Sequence, residues 1–340
     1  MLKTIKVKKN YNIGIEILRV IMLFWVILYH CFRTNNTNLY NIIILKRFHV
    51  PTFMFISFYY FYQLLNLKNI NKIKDRLIRL LIPYILWPLI IWCFNNILYI
   101  FFHFNRYNRK LNLIDFIYQI VYGINIYGII WFNGNLILFT IFFTIISLLF
   151  KNFIYILQIT SILIYMFNYS GYIPKLICHK YFWIFLGRIL GMFPIAVTSI
   201  SVSSMNLFIK LKKNRNRNIF ICFLNIFFLI RYDIFIIKKG YVYRSILFNL
   251  AAINLFFGFA LINFEKIDKT IIIIFIKIIT RYTGGIYYIH WIVMRNLKNK
   301  IGHIKNKTIK GCLIIYVLSY IICFFGIKIF GKTKLRNLFC

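Results

Sequence analysis

Acidic side chains are nearly missing from this sequence. Six Asp and Glu stand against 43 Lys and Arg among 340 residues, which leaves a formal net charge of +37. Charged residues of both signs make up only 14% of the chain, where a soluble domain carries about 25%. Five prolines are too few for a proline-rich linker. The seven cysteines (Cys31, Cys93, Cys178, Cys222, Cys312, Cys323, Cys340) never adopt C-x-x-C spacing, so metal and disulfide roles find no support. No Walker-type loop, G-x-S-x-G elbow or metal-ligand spacing occurs either. These shortages argue against a soluble enzyme and a disulfide-rich secreted domain.

What is abundant is apolar. Hydrophobic residues reach 61% and aromatics 20%, with a mean hydropathy of +0.75, which also rules out a disordered chain. About 207 apolar positions, at ~20 per spanning helix, make roughly ten spans. The expected fold is therefore all-α, a polytopic transmembrane helix bundle in the cell membrane. In a soluble protein the positive charge would suggest nucleic acid. Here the cations sit in short loops between apolar runs, where anionic headgroups of the lipid bilayer are the natural partner. No nucleic-acid partner is expected.

Apolar runs place spans at 12–32, 48–65, 77–102, 131–150, 153–168, 182–205, 219–237, 246–264, 271–294 and 311–330. Pro83 and Pro88 are expected to kink the third. The segment 113–130, with Asp115 and two glycines, reads as re-entrant or interfacial. No repeat and no soluble domain interrupts the pattern, so residues 1–340 read as one integral-membrane domain. It comprises a basic cytoplasmic tail (1–11), the bundle (12–330) and a basic C-terminal tail (331–340). Lys3, Lys6, Lys8 and Lys9, the 66–76 loop and the Lys210–Arg217 loop share one side, assigned as cytoplasmic by their charge. The basic 295–310 loop falls on the other side, against that rule.

Ionisable groups within a span are costly and mark function by default. The first span holds Glu16, Arg19 and His30. At about 100° per residue, Arg19 and His30 lie about 20° apart around the helix, with Glu16 close to the same stripe. Along the axis Arg19 and His30 are roughly 16 Å apart, so they would serve two depths of one cavity. A plain alternative is an i,i+3 pair of Glu16 with Arg19, with His30 at the outer end.

The same segment, IEILRVIMLFWVILYH, has an R-x10-H pattern and resembles the first helix of the membrane acyltransferase-3 family. HVPTFMFIS (49–57) is similar to that family's second helix, and KDRLIRLLIPYILW (74–87) to its R-x-x-R-L-x-x-P segment. IIWFNGNLI (129–137) and GGIYYIHWIV (284–293) resemble two later elements in the same order. One departure stands out: Ser57 is followed by Phe58 and Tyr59, where the family has Ser-Gly-Tyr. Arg188 and Pro194 resemble the sixth-helix pattern less closely.

The resemblance implies an O-acyltransferase of cell-surface carbohydrates. No bound cofactor is expected; acyl-CoA, most simply acetyl-CoA, would be the donor substrate and a carbohydrate hydroxyl the acceptor. Acyl transfer to an alcohol needs a base for the hydroxyl proton and donors for the oxyanion. His30 is the expected base, with Glu16 and Arg19 ordering the inner half of the cavity and His290 a further candidate. Arg76 and Arg79, with Lys74 beside them, are expected to hold the donor's phosphates, since guanidinium forks suit bidentate contacts. Tyr287 is placed to hydrogen-bond His290, and Gly284 and Gly285 to admit a neighbouring helix. His103, His179 and His303 read as solvated. The rival reading is a transporter or permease of a sugar-lipid or small solute, which intramembrane His, Glu and Arg would also suit.

Overall fold

The computed structural model describes residues 12–32, 48–102, 113–122, 130–169, 180–236, 246–262, 271–300, 309–331 and 333–339. These form α1 (Ile13–Phe32), α2 (His49–Asn66), α3 (Ile70–Phe102), α4 (Leu113–Tyr122), α5 (Ile130–Leu149), α6 (Phe153–Tyr169) and α7 (Lys180–Ser204). Then follow α8 (Leu207–Lys212), α9 (Arg215–Ile236), α10 (Ile246–Leu261), α11 (Ile271–Thr280), α12 (Thr283–Lys300) and α13 (Ile309–Phe330). A 3-10 helix, Lys334–Leu338, closes the described chain. No strand occurs among the described residues. The all-α bundle expected from composition is the fold.

Five described helices are long and apolar enough to cross a membrane on their own: Ile13–Cys31, Ile70–Cys93, Trp131–Leu149, Leu186–Ser204 and Lys310–Phe330. Shorter apolar stretches, Phe153–Met166 and Asn249–Leu261, lie between them. This is a membrane protein, and its surface agrees. Ile159, Ile162, Leu163, Phe220, Phe228 and Ile329 are exposed large hydrophobics, which lipid tails accommodate and water would not.

Lipid tails are as apolar as leucine, so close packing and interhelical hydrogen bonds hold such a bundle together. The Ser199 hydroxyl donates to the Phe55 carbonyl (2.6 Å) and Ser203 to the Tyr59 carbonyl (3.0 Å), fixing α7 parallel to α2. Where α1 crosses α10, a Cβ on Gly14 would overlap the Phe259 carbonyl oxygen. Only glycine permits that approach. Beside it the Asn12 amide donates to the Ala260 carbonyl (2.8 Å) while its Oδ1 accepts from the Ile15 N–H (3.2 Å), capping α1. Arg215 at the start of α9 donates to the Leu261 carbonyl. The start of α1, the end of α10 and the start of α9 therefore meet at one end of the bundle.

Buried side chains form two clusters. One gathers Phe55, Phe58, Phe61, Phe143 and Phe256 from α2, α5 and α10. The other joins Leu23 and Ile27 of α1 to Ile286 and Ile289 of α12 and Ile315 of α13. The candidate residues on α1 and α12 lie along this second seam.

α3 is helical from Ile70 to Phe102 with Pro83 and Pro88 inside it. One expectation needs correction. The run 271–294 is not one helix: it breaks at Arg281–Tyr282, between α11 and α12. The sequence there is Thr-Arg-Tyr-Thr-Gly-Gly. Thr280 and Thr283 hydroxyls donate to the carbonyls of Lys277 (3.2 Å) and Thr280 (3.0 Å), and the Tyr282 N–H turns back to Ile279 (2.9 Å). Threonine back-bonding and paired glycines are both poor helix propagators. α2 stays helical through Phe58, the residue that stands where the family has glycine, as far as Asn66.

Candidate functional site

α1 and α12 run in the same direction along their seam. Near its start, Arg19 pairs with Glu16 (Nη1 to Oε2, 3.1 Å) and donates through Nη2 to the Thr283 hydroxyl (3.2 Å). Near its far end, the ring of His30 lies 5.5 Å from that of His290, centroid to centroid. Arg19 and His30 are eleven residues apart and Thr283 and His290 seven. The axial mismatch is roughly 6 Å, which the long arginine side chain spans. The stripe expected on α1 is thus real and faces α12. Its lower part takes the plain i,i+3 form, with Arg19 also pinning the first residue after the α11–α12 break.

The imidazoles sit among aromatic rings. His30 meets Trp291 edge-on at 5.1 Å and Tyr29 at 5.2 Å. Tyr29 in turn lies 5.5 Å from His49, the first residue of α2. His30 is half-buried, whereas His49 and His290 are buried, His290 with 0% exposure. The partner of His290 Nδ1 is the Ile286 carbonyl at 3.1 Å, and not the Tyr287 hydroxyl that spacing suggested. The Tyr287 ring stays 6.0 Å away, centroid to centroid.

That bond has a chemical consequence. A carbonyl oxygen only accepts, so the proton sits on His290 Nδ1 and the lone pair on Nε2. Nε2 is buried and has no hydrogen-bond partner among the described residues. Trp25 Nε1 on α1 and the Tyr288 hydroxyl on α12 are likewise buried without partners. Buried polar groups are paired in the great majority of cases. An open lone pair beside a second imidazole can receive a proton or a hydrogen bond from a hydroxyl brought to it.

The arginine pair on α3 divides in two. Arg76 donates through Nη2 to the Ser57 hydroxyl (2.7 Å), through Nη1 to the Ser57 carbonyl (3.4 Å) and through Nε to the Thr140 hydroxyl (3.2 Å). Its guanidinium also lies over the rings of Phe61 (4.7 Å) and Phe58 (5.3 Å). Arg76 therefore joins α3 to α2 and α5. Arg79 is exposed and donates only to the carbonyl of Asp75, one turn back on its own helix (3.4 Å). Lys74 is exposed as well.

The structure thus brings His30 and His290 together, sets Glu16 and Arg19 below them on the same seam, and places Lys74, Arg76 and Arg79 on a separate helix. Sequence reasoning did not single out Trp291, His49, Thr283, Ser57 or Thr140 as neighbours of these groups. His49 and Ser57 were within reach, because both stand in HVPTFMFIS. The close approach at Gly285 is made by a segment, not a helix: its Cβ would fall 2.5 Å from the Phe339 backbone. The 3-10 segment before Phe339 is held there by the Trp87 indole, which donates to the Leu338 carbonyl (3.2 Å). Arg188 lies over the ring of Trp131 at 5.1 Å. His103, His179 and His303 lie outside the described residues, as does the side chain of Asp115. Among the described residues no three His, Cys, Asp or Glu side chains gather where they could hold one metal ion.

A family model described as an acyltransferase domain matches residues 12–328, nearly the whole described bundle. No curated protein and no solved structure matches the chain.

Proposed function

The chain belongs to the membrane acyltransferase-3 family, and from that premise we propose that it moves an acyl group from acyl-CoA to a carbohydrate hydroxyl. Acetyl is the group we favour, the acceptor is a cell-surface or lipid-linked sugar, and the place is the cell membrane. The observation that carries this reading is the buried, open Nε2 of His290 beside the half-buried ring of His30.

In the proposed reaction His30 accepts the acceptor's hydroxyl proton as the new C–O bond forms at the thioester carbon. The tetrahedral oxyanion then collapses, the C–S bond breaks, and the proton passes to the departing CoA thiolate. His290, its tautomer set by the Ile286 carbonyl, presents Nε2 to hold the hydroxyl or the second imidazole in line. Arg19, pinned by Glu16 and Thr283, fixes α12 at its break and so the height of His290. Arg79 and Lys74, both exposed, meet the donor's phosphates. Arg76 sets the position of α3 from which they do so.

Reconstitution tests the proposal. Purified protein in liposomes, given radiolabelled acetyl-CoA and a lipid-linked sugar, should form one O-ester for each CoA thiol released, and only when the sugar is present. CoA release that ignores the sugar, or label that never enters an ester, would overturn it.

A further inference from the structure

A polar residue stands midway along an exposed apolar face of the bundle. Asn225 is the eleventh of the 22 residues of α9, and it is exposed. Ile221 (42%) one turn before it, Leu224 (39%) beside it and Phe228 (61%) one turn after it are exposed as well. α9 packs mainly on α10, so this face is the edge of the bundle. Among the described residues no other carboxamide is exposed midway along an apolar helix.

The amide belongs to a short relay. Asn254 on α10 donates to the Leu250 carbonyl of its own helix (2.8 Å), and Asn225 Nδ2 donates to Asn254 Oδ1 (3.3 Å). The relay ends at Asn225, whose Oδ1 and second N–H have no partner among the described residues. Acyl chains offer neither donor nor acceptor, and a polar group left open to them costs free energy. Asparagine at such a position draws helices together in a membrane.

We propose that this α9–α10 face is the interface between two copies of the chain, closed at Asn225. The chemistry of a carboxamide selects the partner. It carries a donor and an acceptor side by side, so two of them related by a two-fold axis form a reciprocal pair of N–H···O bonds. Copies inserted in the same orientation hold Asn225 at the same depth, which is the condition for that pairing about an axis along the membrane normal. Ile221, Leu224 and Phe228, at helical spacing around it, supply the apolar seam. α10 packs against α1 and α2 on its other side, so the pairing leaves the seam between α1 and α12 uncovered.

Single-molecule photobleaching of dye-labelled protein in liposomes reads the state directly. Wild type should bleach in two steps at a low protein-to-lipid ratio. Asn225→Leu, which removes the open amide without adding bulk, should weaken pairing by about tenfold and bleach in one step. Its melting temperature should be unchanged or higher, so loss of pairing is separable from loss of fold. Asn225→Gln, which keeps the amide, should retain pairing. One-step bleaching of wild type at every ratio tested overturns the proposal, and so does two-step bleaching of Asn225→Leu equal to wild type.

Discussion

The His30–His290 seam and the Arg76 junction are both polar groups enclosed by aromatic rings, yet they are wired oppositely. Arg76 spends its donors inside the protein, on Ser57 and Thr140, and lies against Phe58 and Phe61. His290 spends only Nδ1, on Ile286, and leaves Nε2 buried and open. A cation bonded to three acceptors on two other helices holds architecture; a buried imidazole nitrogen left without a partner calls for another explanation, and a ligand is one. Arg76 and Arg79 are three residues apart and look alike in sequence, but only Arg79 is exposed.

That contrast can be broken by mutation. The largest effect should come from His30→Ala, which is expected to slow acyl transfer by about a hundredfold or more while the protein remains folded and membrane-inserted. Retention of transfer within severalfold of wild type would move the base elsewhere. Arg79→Lys should come next, because a point charge replaces a planar fork. The apparent KM for acetyl-CoA should rise by about tenfold, since one lost bidentate contact is worth a unit of that order, and the melting temperature should hold. Arg76→Lys should give the reverse pattern, a lower melting temperature at unchanged KM. If the two variants trade patterns, the division between a structural and a donor-facing arginine is wrong.

Gly285→Val inserts side-chain atoms where the Phe339 backbone already lies. Overpacking of this kind costs about 1–3 kcal/mol, and it should appear as a fall in melting temperature with a smaller loss of transfer. The smallest effect is expected at Thr140→Val. It leaves one Arg76 N–H without its acceptor, at a cost of about 1 kcal/mol, measurable as a slight drop in melting temperature at full activity.

Much of this was legible in sequence because helical periodicity is local. The stripe of Glu16, Arg19 and His30 needs only about 100° per residue, and it does face a single neighbour. The identity of that neighbour was not legible. Thr283 lies 264 residues from Arg19, and nothing in either segment announces the other. The break at Arg281–Tyr282 hides inside an apolar run because hydropathy is blind to threonine back-bonding. The separate fates of Arg76 and Arg79 were equally hidden, since the hydroxyls that bind Arg76 sit 19 and 64 residues away. Gly285 did signal a close approach; what approaches could be learned only from the folded chain.

The central claim is that chemistry occurs at the His30–His290 pair, where a buried lone pair is open, and not at the half-buried Arg76, which bonds to Ser57 and Thr140. Single-turnover acyl transfer in proteoliposomes, run on His30→Ala and Arg76→Lys at equal amounts of folded protein, tests it most directly. The account predicts a rate for His30→Ala lower by about a hundredfold or more, and for Arg76→Lys a rate within about threefold of wild type. Normal transfer by His30→Ala together with a collapse in folded Arg76→Lys would contradict it.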